Sequence, residues 1–211
     1  MGHRRSRLNR LCGVHIIRAT STKKGFKDIK MTEEEVLANL QAIKENYDSI
    51  PAQQKVPGAR SLYLGGGWWG DYQPEMLIKA YVALLNNPTV GHIHVPLLNQ
   101  YGGNVFVDGK FEPDYEWATM TYKADLRGID NSDIIVALFP VEDQDLGTGM
   151  ETGYAVGTNK PVVAVFQGDA YKNPINLMVS MSADASLKNP ADLDSFNFLD
   201  IEPNMYEGRL I

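Results

Sequence analysis

The chain has 211 residues, of which 44% are hydrophobic and 22% charged, with a formal net charge of −6. Those values suit one globular domain with an appendage, and no apolar run approaches the ~18 residues of a bilayer-spanning helix. A single cysteine, Cys12, excludes an internal disulfide framework and fits a reducing, cytoplasmic setting.

Charge divides the chain before any element does. Residues 1–30 carry nine Lys/Arg against Asp28 alone, a net of +8, which leaves −14 on residues 31–211. An acidic body argues against a nucleic-acid-binding surface. The basic leader admits several readings: a nucleic-acid arm, a membrane arm or a transit-like segment. The preferred one is an incidental extension, because Met31-Thr-Glu-Glu-Glu reads as a natural start running into a helix. Thr32 suits its N-cap, Glu33 to Glu35 suit its positive end, and Val36, Leu37, Leu40 and Ile43 give an apolar stripe up to about Tyr47. The stretch from Ile50 to Gly58 has linker composition. Residues 1–58 therefore read as an extension and 59–211 as the main domain.

Within that domain strand and helix signals alternate. Strand 61–64 precedes an amphipathic helix over 74–87. Strand 92–98 leads into a long polar loop to about Asp114, then a helix over 115–127 with Trp117, Met120, Tyr122 and Leu126 among its packing residues. Strand 133–140, helix 148–158, strand 161–166 and a short helix near 175–181 follow. Leu193 to Phe198 are expected to close the sheet. The alternation predicts an α/β fold: a flavodoxin-like doubly wound sandwich with a mainly parallel five-stranded sheet, plus an N-terminal helical extension.

The most informative segment is Asp145-Leu-Gly-Thr-Gly-Met-Glu151-Thr-Gly-Tyr-Ala, directly after the apolar run Asp133 to Pro140. A strand empties into a glycine-rich turn that opens a helix, with one acid before the turn and another read into its first helical turn. Loops at the carboxyl ends of parallel strands are where such sheets bind ligands. Gly147, Gly149 and Gly153 leave no bulk between the two carboxylates and a small molecule. The same residues also read as structure, with Thr148-x-x-Glu151 a capping box and Asp145 a turn residue.

Other signals are weaker. Gly65-Gly-Gly-Trp68-Trp69-Gly70 satisfies GxGxxG after a strand, but Pro88 to Gln100 holds no acid for a ribose, so no dinucleotide cofactor is expected. Aromatic plates beside a glycine turn suit a flat ring, or else core or subunit contacts. Asp125, near the end of its helix, opposes the macrodipole, and a solvated surface aspartate is the plainer reading. Asn176 and Met178 read first as a helix start and core filler, and Tyr63 as core. His92 and His94 line one sheet face. With no HExxH or paired-cysteine spacing, no metal is expected.

Taken together, six stretches in order resemble the nucleoside 2-deoxyribosyltransferase family. They are Tyr63-Leu-Gly-Gly-Gly-Trp, Val95-Pro-Leu-Leu-Asn-Gln-Tyr, Trp117 through Ile129, Asp145 through Ala155, Pro174-Ile-Asn-Leu-Met178 and Tyr206-Glu-Gly. The Gly-Thr-Gly-Met-Glu and Pro-Ile-Asn-Leu-Met forms resemble its broad-specificity, purine/pyrimidine branch, and residues 1–60 have no counterpart in its short members.

The resemblance implies exchange of the base of a 2′-deoxyribonucleoside for another free base, and hence a role in nucleoside salvage. It makes Glu151 the nucleophile and Tyr63 its holder, and sets Asp125 and Asp145 on the base, one of them assisting proton transfer. Trp68, Trp69, Asp71, Gln100 and Gly149 become pocket residues. Asn176, Met178 and the terminal carboxylate are expected to reach a neighbouring subunit's site in a homo-oligomer, typically a hexamer. No cofactor, nucleic acid or membrane partner is implied.

The chemistry suits these roles. A carboxylic acid near a ring nitrogen assists departure of a nucleobase, typically by ~10²–10⁴-fold. An ionised carboxylate stabilises an oxocarbenium-like transition state. Glu151 is expected to stay ionised through the helix dipole and amide donors. A covalent ester predicts retention and ping-pong kinetics. The alternatives are a nucleoside or nucleotide N-glycosidase on the same fold, and a non-catalytic nucleotide-sensing module. The absence of a basic cluster points to a non-phosphorylated substrate.

Overall fold

The computed structural model describes residues 30–49, 54–102, 105–107 and 110–211. The basic leader before Lys30, with Cys12, lies outside the described residues. The first element, α1 (Glu33–Ser49), opens on a reciprocal cap: Glu35 N donates to Thr32 Oγ1 at 3.2 Å and Thr32 N to Glu35 Oε2 at 2.8 Å. Its stripe of Val36, Leu37, Leu40 and Ile43 is buried in the main core rather than held apart from it. The extension and the main domain thus share one hydrophobic interior.

The domain then runs β1 (Arg60–Gly65), α2 (Gln73–Asn86), β2 (Val90–His94), a 3₁₀ turn (Pro96–Leu98), β3 (Phe106–Val107), β4 (Lys110–Phe111), α3 (Tyr115–Asp130), β5 (Ile134–Pro140), α4 (Leu146–Gly157), β6 (Val162–Gln167), α5 (Leu177–Ser180) and β7 (Ala185–Leu187). Among the described residues one five-stranded parallel sheet has the order β2-β1-β5-β6-β7. Counting its strands along the chain gives 2-1-3-4-5, the expected flavodoxin-like order. All seven positions of β5 are buried, which is why its sequence is continuously apolar rather than alternating. On β1, Leu62 and Leu64 turn into the core under α1 and α2, while Tyr63 faces Ile129 of α3 and Ala155 of α4. Helices cover both faces of the sheet.

Three expectations need correction. The second strand stops at His94 instead of reaching residue 98, because Pro96 lacks an N–H for the ladder and starts a 3₁₀ turn. The sheet is closed by β7, not by residues 193–198. That segment begins inside a 3₁₀ turn over Pro190–Asp194, started by the Asn189 side chain accepting from Ala191 N. It is held beneath α2 by Asn87, whose Nδ2 donates to the carbonyls of Leu193 and Phe196 at 2.7 Å each. The polar loop before Asp114 contains the small antiparallel pair β3–β4. No helix among the described residues is long and apolar enough to cross a membrane.

Candidate active site

The order of the sheet places a crevice at its switch point. Chain connections leave β1 and β5 in opposite directions, and the loops after these neighbouring strands part above their carboxyl ends. A cleft of about 420 Å³ opens there, with Gly66, Trp68 and Trp69 from the loop after β1, Asp145, Gly147, Thr148, Met150 and Glu151 from the start of α4, and Asp125 from α3. Pro96, Gln100 and Phe111 supply its far side.

Glycine is required after β1 because the carboxyl of Glu151 lies against the chain. A β-carbon at Gly65 would sit 2.7 Å from Glu151 Oε2, and one at Gly66 would press on Leu138 at 3.1 Å. The loop beyond is pinned by Gln73, a buried side chain that accepts from Gly70 N at 3.1 Å and donates to Asp143 O at 3.0 Å. Gln73 thereby ties the tryptophan loop to the loop after β5. A dinucleotide-type turn is not formed, since α2 starts only at Gln73, well past the glycines.

The start of α4 differs from the capping box expected there. Asp145 is the N-cap, its Oδ2 accepting from both Thr148 N at 2.7 Å and Thr148 Oγ1 at 2.8 Å. Glu151 sits in the second turn, so it does not cap and no free amide of the helix start reaches it. Its Oε1 instead accepts from the Tyr63 hydroxyl at 2.7 Å. Burial raises the Glu151 carboxyl to about 8, the Tyr63 bond pulls down, and Asp125 and Asp145 push further up. The expectation that the helix start keeps Glu151 ionised is therefore overturned: burial, with Asp125 and Asp145, favours its protonated form. Burial likewise raises Asp125 to about 7. Asp125 does not end its helix, which continues to Asp130.

Unmet hydrogen-bonding groups gather in the same place. Trp68 Nε1, both amide atoms of Gln100 and Asp125 Oδ1 are buried without a partner. Such groups are disfavoured unless a ligand satisfies them. Around them stand aromatic rings: Trp68 and Trp69 at 4.4 Å between centroids, Trp69 and Phe111 at 6.2 Å, and Phe111 edge-on to Trp117 at 5.0 Å. No lysine, arginine or histidine among the described residues lines the cleft. The arrangement offers flat apolar faces, an amide that both donates and accepts, and carboxyls that hold protons near neutral pH. That set suits a neutral heteroaromatic ring joined to a group that a carboxylate can attack.

Of the residues singled out in the sequence, Trp68, Trp69, Gln100, Asp125, Asp145 and Glu151 line this cleft, and Tyr63 supports it from below. Asp71 is exposed and pairs with Lys30 at 3.2 Å. Gly149 lies on α4 with open space beside it and does not line the cleft. Asn176 and Met178 are also elsewhere: Asn176 Oδ1 accepts from Met178 N at 2.9 Å at the start of α5, and Met178 is 74% exposed. The last residue joins them, with Ile211 N donating to Ile175 O and Leu177 N to Ile211 O, both at 3.0 Å. Phe111 and Gln73 were missed. The signal for Phe111 was present as Asp108-Gly109, a hairpin-turn pair between Phe106-Val107 and Lys110-Phe111. Gln73 carried no sequence signal. No cluster of three or more His, Cys, Asp or Glu placed to hold a metal occurs among the described residues.

Comparison with known proteins agrees with this geometry. Residues 62–178 match the family described as nucleoside 2-deoxyribosyltransferase. The chain is 38% identical over 154 residues to a nucleoside deoxyribosyltransferase of Lactobacillus leichmannii, spanning 72% of this chain and 98% of that protein. It is 37% identical over 148 residues to one from Lactobacillus johnsonii, spanning 68% and 98% respectively. Among solved structures it resembles a 2-deoxyribosyltransferase of Bacillus psychrosaccharolyticus with a TM-score of 0.56 and 26% identity, over 69% of this chain and 99% of that one.

Proposed function

The chain belongs to the nucleoside 2-deoxyribosyltransferase family and is an enzyme of it, and we propose that it moves the 2-deoxyribosyl group of a 2′-deoxyribonucleoside onto a free purine or pyrimidine through an ester on Glu151. The observation that carries this reading is the Tyr63–Glu151 pair at the floor of a cleft walled by unpaired polar groups and aromatic rings.

In the first half-reaction the base stacks among Trp68, Trp69 and Phe111. Asp125, whose carboxyl keeps a proton near pH 7, donates to a ring nitrogen as the N-glycosidic bond breaks. Glu151, having lost its own proton, attacks the anomeric carbon and forms the ester. Tyr63 holds the attacking carboxylate in place. In the second half the incoming base attacks from the face the first one left, and Asp125 recovers the proton. Two inversions give net retention. Asp145, fixed by its cap through Oδ2, directs Oδ1 to the base.

A homo-oligomer belongs to the same proposal. Asn176 and Met178 stand outside the cleft, in an exposed apolar corner with Leu177, Leu210 and Ile211. From there they reach a neighbour's site rather than their own. A neutral, non-phosphorylated substrate fits a cleft free of cationic side chains.

The test is base exchange with deoxyinosine and adenine. Deoxyadenosine with equimolar hypoxanthine supports transfer, whereas free deoxyribose without a new nucleoside assigns hydrolysis. Loss of exchange in Glu151→Ala, with a deoxyribosyl adduct on the Glu151 peptide of the unmodified enzyme, identifies the nucleophile. Unchanged exchange in that variant would refute the assignment.

A further inference from the structure

Against the Tyr63 ring, and outside the residues that line the cleft, lies a residue with no part in the chemistry described so far. His94 is the register partner of Tyr63 in the parallel β1–β2 pair. Its imidazole stacks on the phenol ring with centroids 5.3 Å apart and planes within 13°. Its other edge meets α3 at Gly128, one helical turn beyond Asp125. A β-carbon at 128 would come within 2.5 Å of His94 Nε2 and 2.9 Å of Cε1.

We propose that His94 is a positioning residue: its ring is the spacer that holds Tyr63 in line with Glu151 and keeps α3, the helix carrying Asp125, at its working separation. This rests on the transfer reading above and extends it to a residue that touches neither substrate nor nucleophile.

Three observations favour a spacer over a hydrogen-bonding or acid–base role. His94 Nε2 is buried and has no hydrogen-bond partner, so shape rather than polarity holds the ring. Tyr63 is fully buried and its hydroxyl is committed to Glu151 at 2.7 Å. A small swing of the phenol about its Cβ would therefore lift that bond away. Gly128 lies within the last turn of α3 with an ordinary backbone conformation, where alanine is still the better helix former. Glycine at that position is explained by the imidazole occupying the space. Burial and the nearby His92 also hold the His94 pKa below the ordinary histidine value, which favours the neutral ring. The other charged groups on the packed elements are Glu116, Lys123, Asp125, Arg127 and Asp130 of α3 and Arg60 of β1, with Glu151 beyond the Tyr63 ring.

The experiment measures base exchange, pH–rate profiles and thermal unfolding for four variants. His94→Ala is expected to lower kcat by roughly ten- to a hundredfold with KM little changed, since displacement of about 1 Å at a reacting group has effects of that size. Its ascending pH limb should move to higher pH as Tyr63 loses its hold on Glu151. His94→Phe restores the plate, and a neighbouring cavity of about 310 Å³ bordered by His92, Arg127 and Gly128 accommodates the larger ring. It should recover kcat to within about threefold of the unmodified enzyme and return the pH limb. Gly128→Ala should lower kcat in the unmodified background and add nothing once His94 is alanine. Wild-type kcat and pH profile in His94→Ala would overturn the proposal. So would equal losses in His94→Ala and His94→Phe, or losses that follow the unfolding temperature alone. Absence of exchange in the unmodified enzyme would instead remove the transfer reading, and this proposal with it.

Discussion

Tyr63 and Glu151 lie 88 positions apart in the chain, and the hydroxyl of one donates to Oε1 of the other over 2.7 Å. Burial, Asp125 and Asp145 all push the Glu151 carboxyl up, and Tyr63 alone pulls it down. Tyr63→Phe removes that single opposing influence. We expect kcat to fall roughly 10²-fold, the size of effect seen when one preorganised donor is lost, and the ascending limb of the pH profile to rise. An unshifted limb in this variant would mean that the bond does not govern the nucleophile.

The two raised carboxyls make activity depend on pH near neutrality. In the proposed mechanism Glu151 loses its proton to attack, and its carboxyl is raised to about 8. Asp125 must keep its proton to assist the leaving base and titrates at about 7. The pair should give a bell-shaped kcat/KM profile with apparent values near those two figures, which belong to the coupled pair. Asp125→Asn should abolish the descending limb. Full activity down to pH 5 would contradict a nucleophile raised by burial.

The same shift acts on stability. The folded-state pKa of Glu151 lies above its unfolded value, near the ordinary glutamate 4.5. No penalty exists below that unfolded value, where both states are protonated. Above it the folded state binds more protons, so stability declines as pH rises toward about 8. Glu151→Gln removes the titration. It should stabilise the protein by an amount that grows across this window to an order of 1–3 kcal/mol, read from unfolding curves at pH 5 and pH 8. Equal stability changes at both values would rule this out.

Trp69 is 41% exposed and faces Phe111 across the cleft. Stacking on an aromatic side chain contributes about 1–3 kcal/mol per base. Trp69→Ala should therefore raise KM for the nucleoside and the free base together, by roughly 5- to 150-fold, with a smaller change in kcat. A fall confined to kcat would move Trp69 from base binding to another role.

The extension should matter to the fold. Leu40 is fully buried in the cluster that includes Leu97, with Trp68 and Phe106 packed against it. Leu40→Ala is expected to destabilise by about 2–5 kcal/mol, the usual range for a buried leucine, measured by denaturant unfolding. A loss below about 0.5 kcal/mol, typical of surface positions, would mean that α1 is loosely docked.

Much of the architecture was legible because periodicity and punctuation agreed. β5 was readable from its apolar run, α1 from Thr32 and its acids, and the parallel order from alternation. The fifth strand was not, because Ala185-Ser-Leu187 is too short to show a pattern, and the more apolar Leu193 to Phe198 drew the assignment. At the site, Glu151 and Asp145 were legible from their glycine-flanked turn. Their ionisation was not, since it depends on how far Glu151 lies from the helix start and on what surrounds it in space. His94 was read as lining a sheet face, and that was correct as far as one strand can tell. Its partner Tyr63 and its neighbour Gly128 come from two other elements, which no local pattern connects.

The helix α1 packs against the turn holding Pro96 and against β4, which brings Phe111 to the cleft. The Lactobacillus leichmannii relative matches 98% of its own length within 72% of this chain, so a share of this protein has no equivalent there. The helix α1 thus stands behind the wall of the cleft that carries Pro96 and Phe111. On the proposed reading, a change on this helix reaches the wall through Pro96 and Phe111 and leaves the Tyr63–Glu151 pair in place. For anyone redesigning substrate choice, the outer surface of this wall is a separable handle.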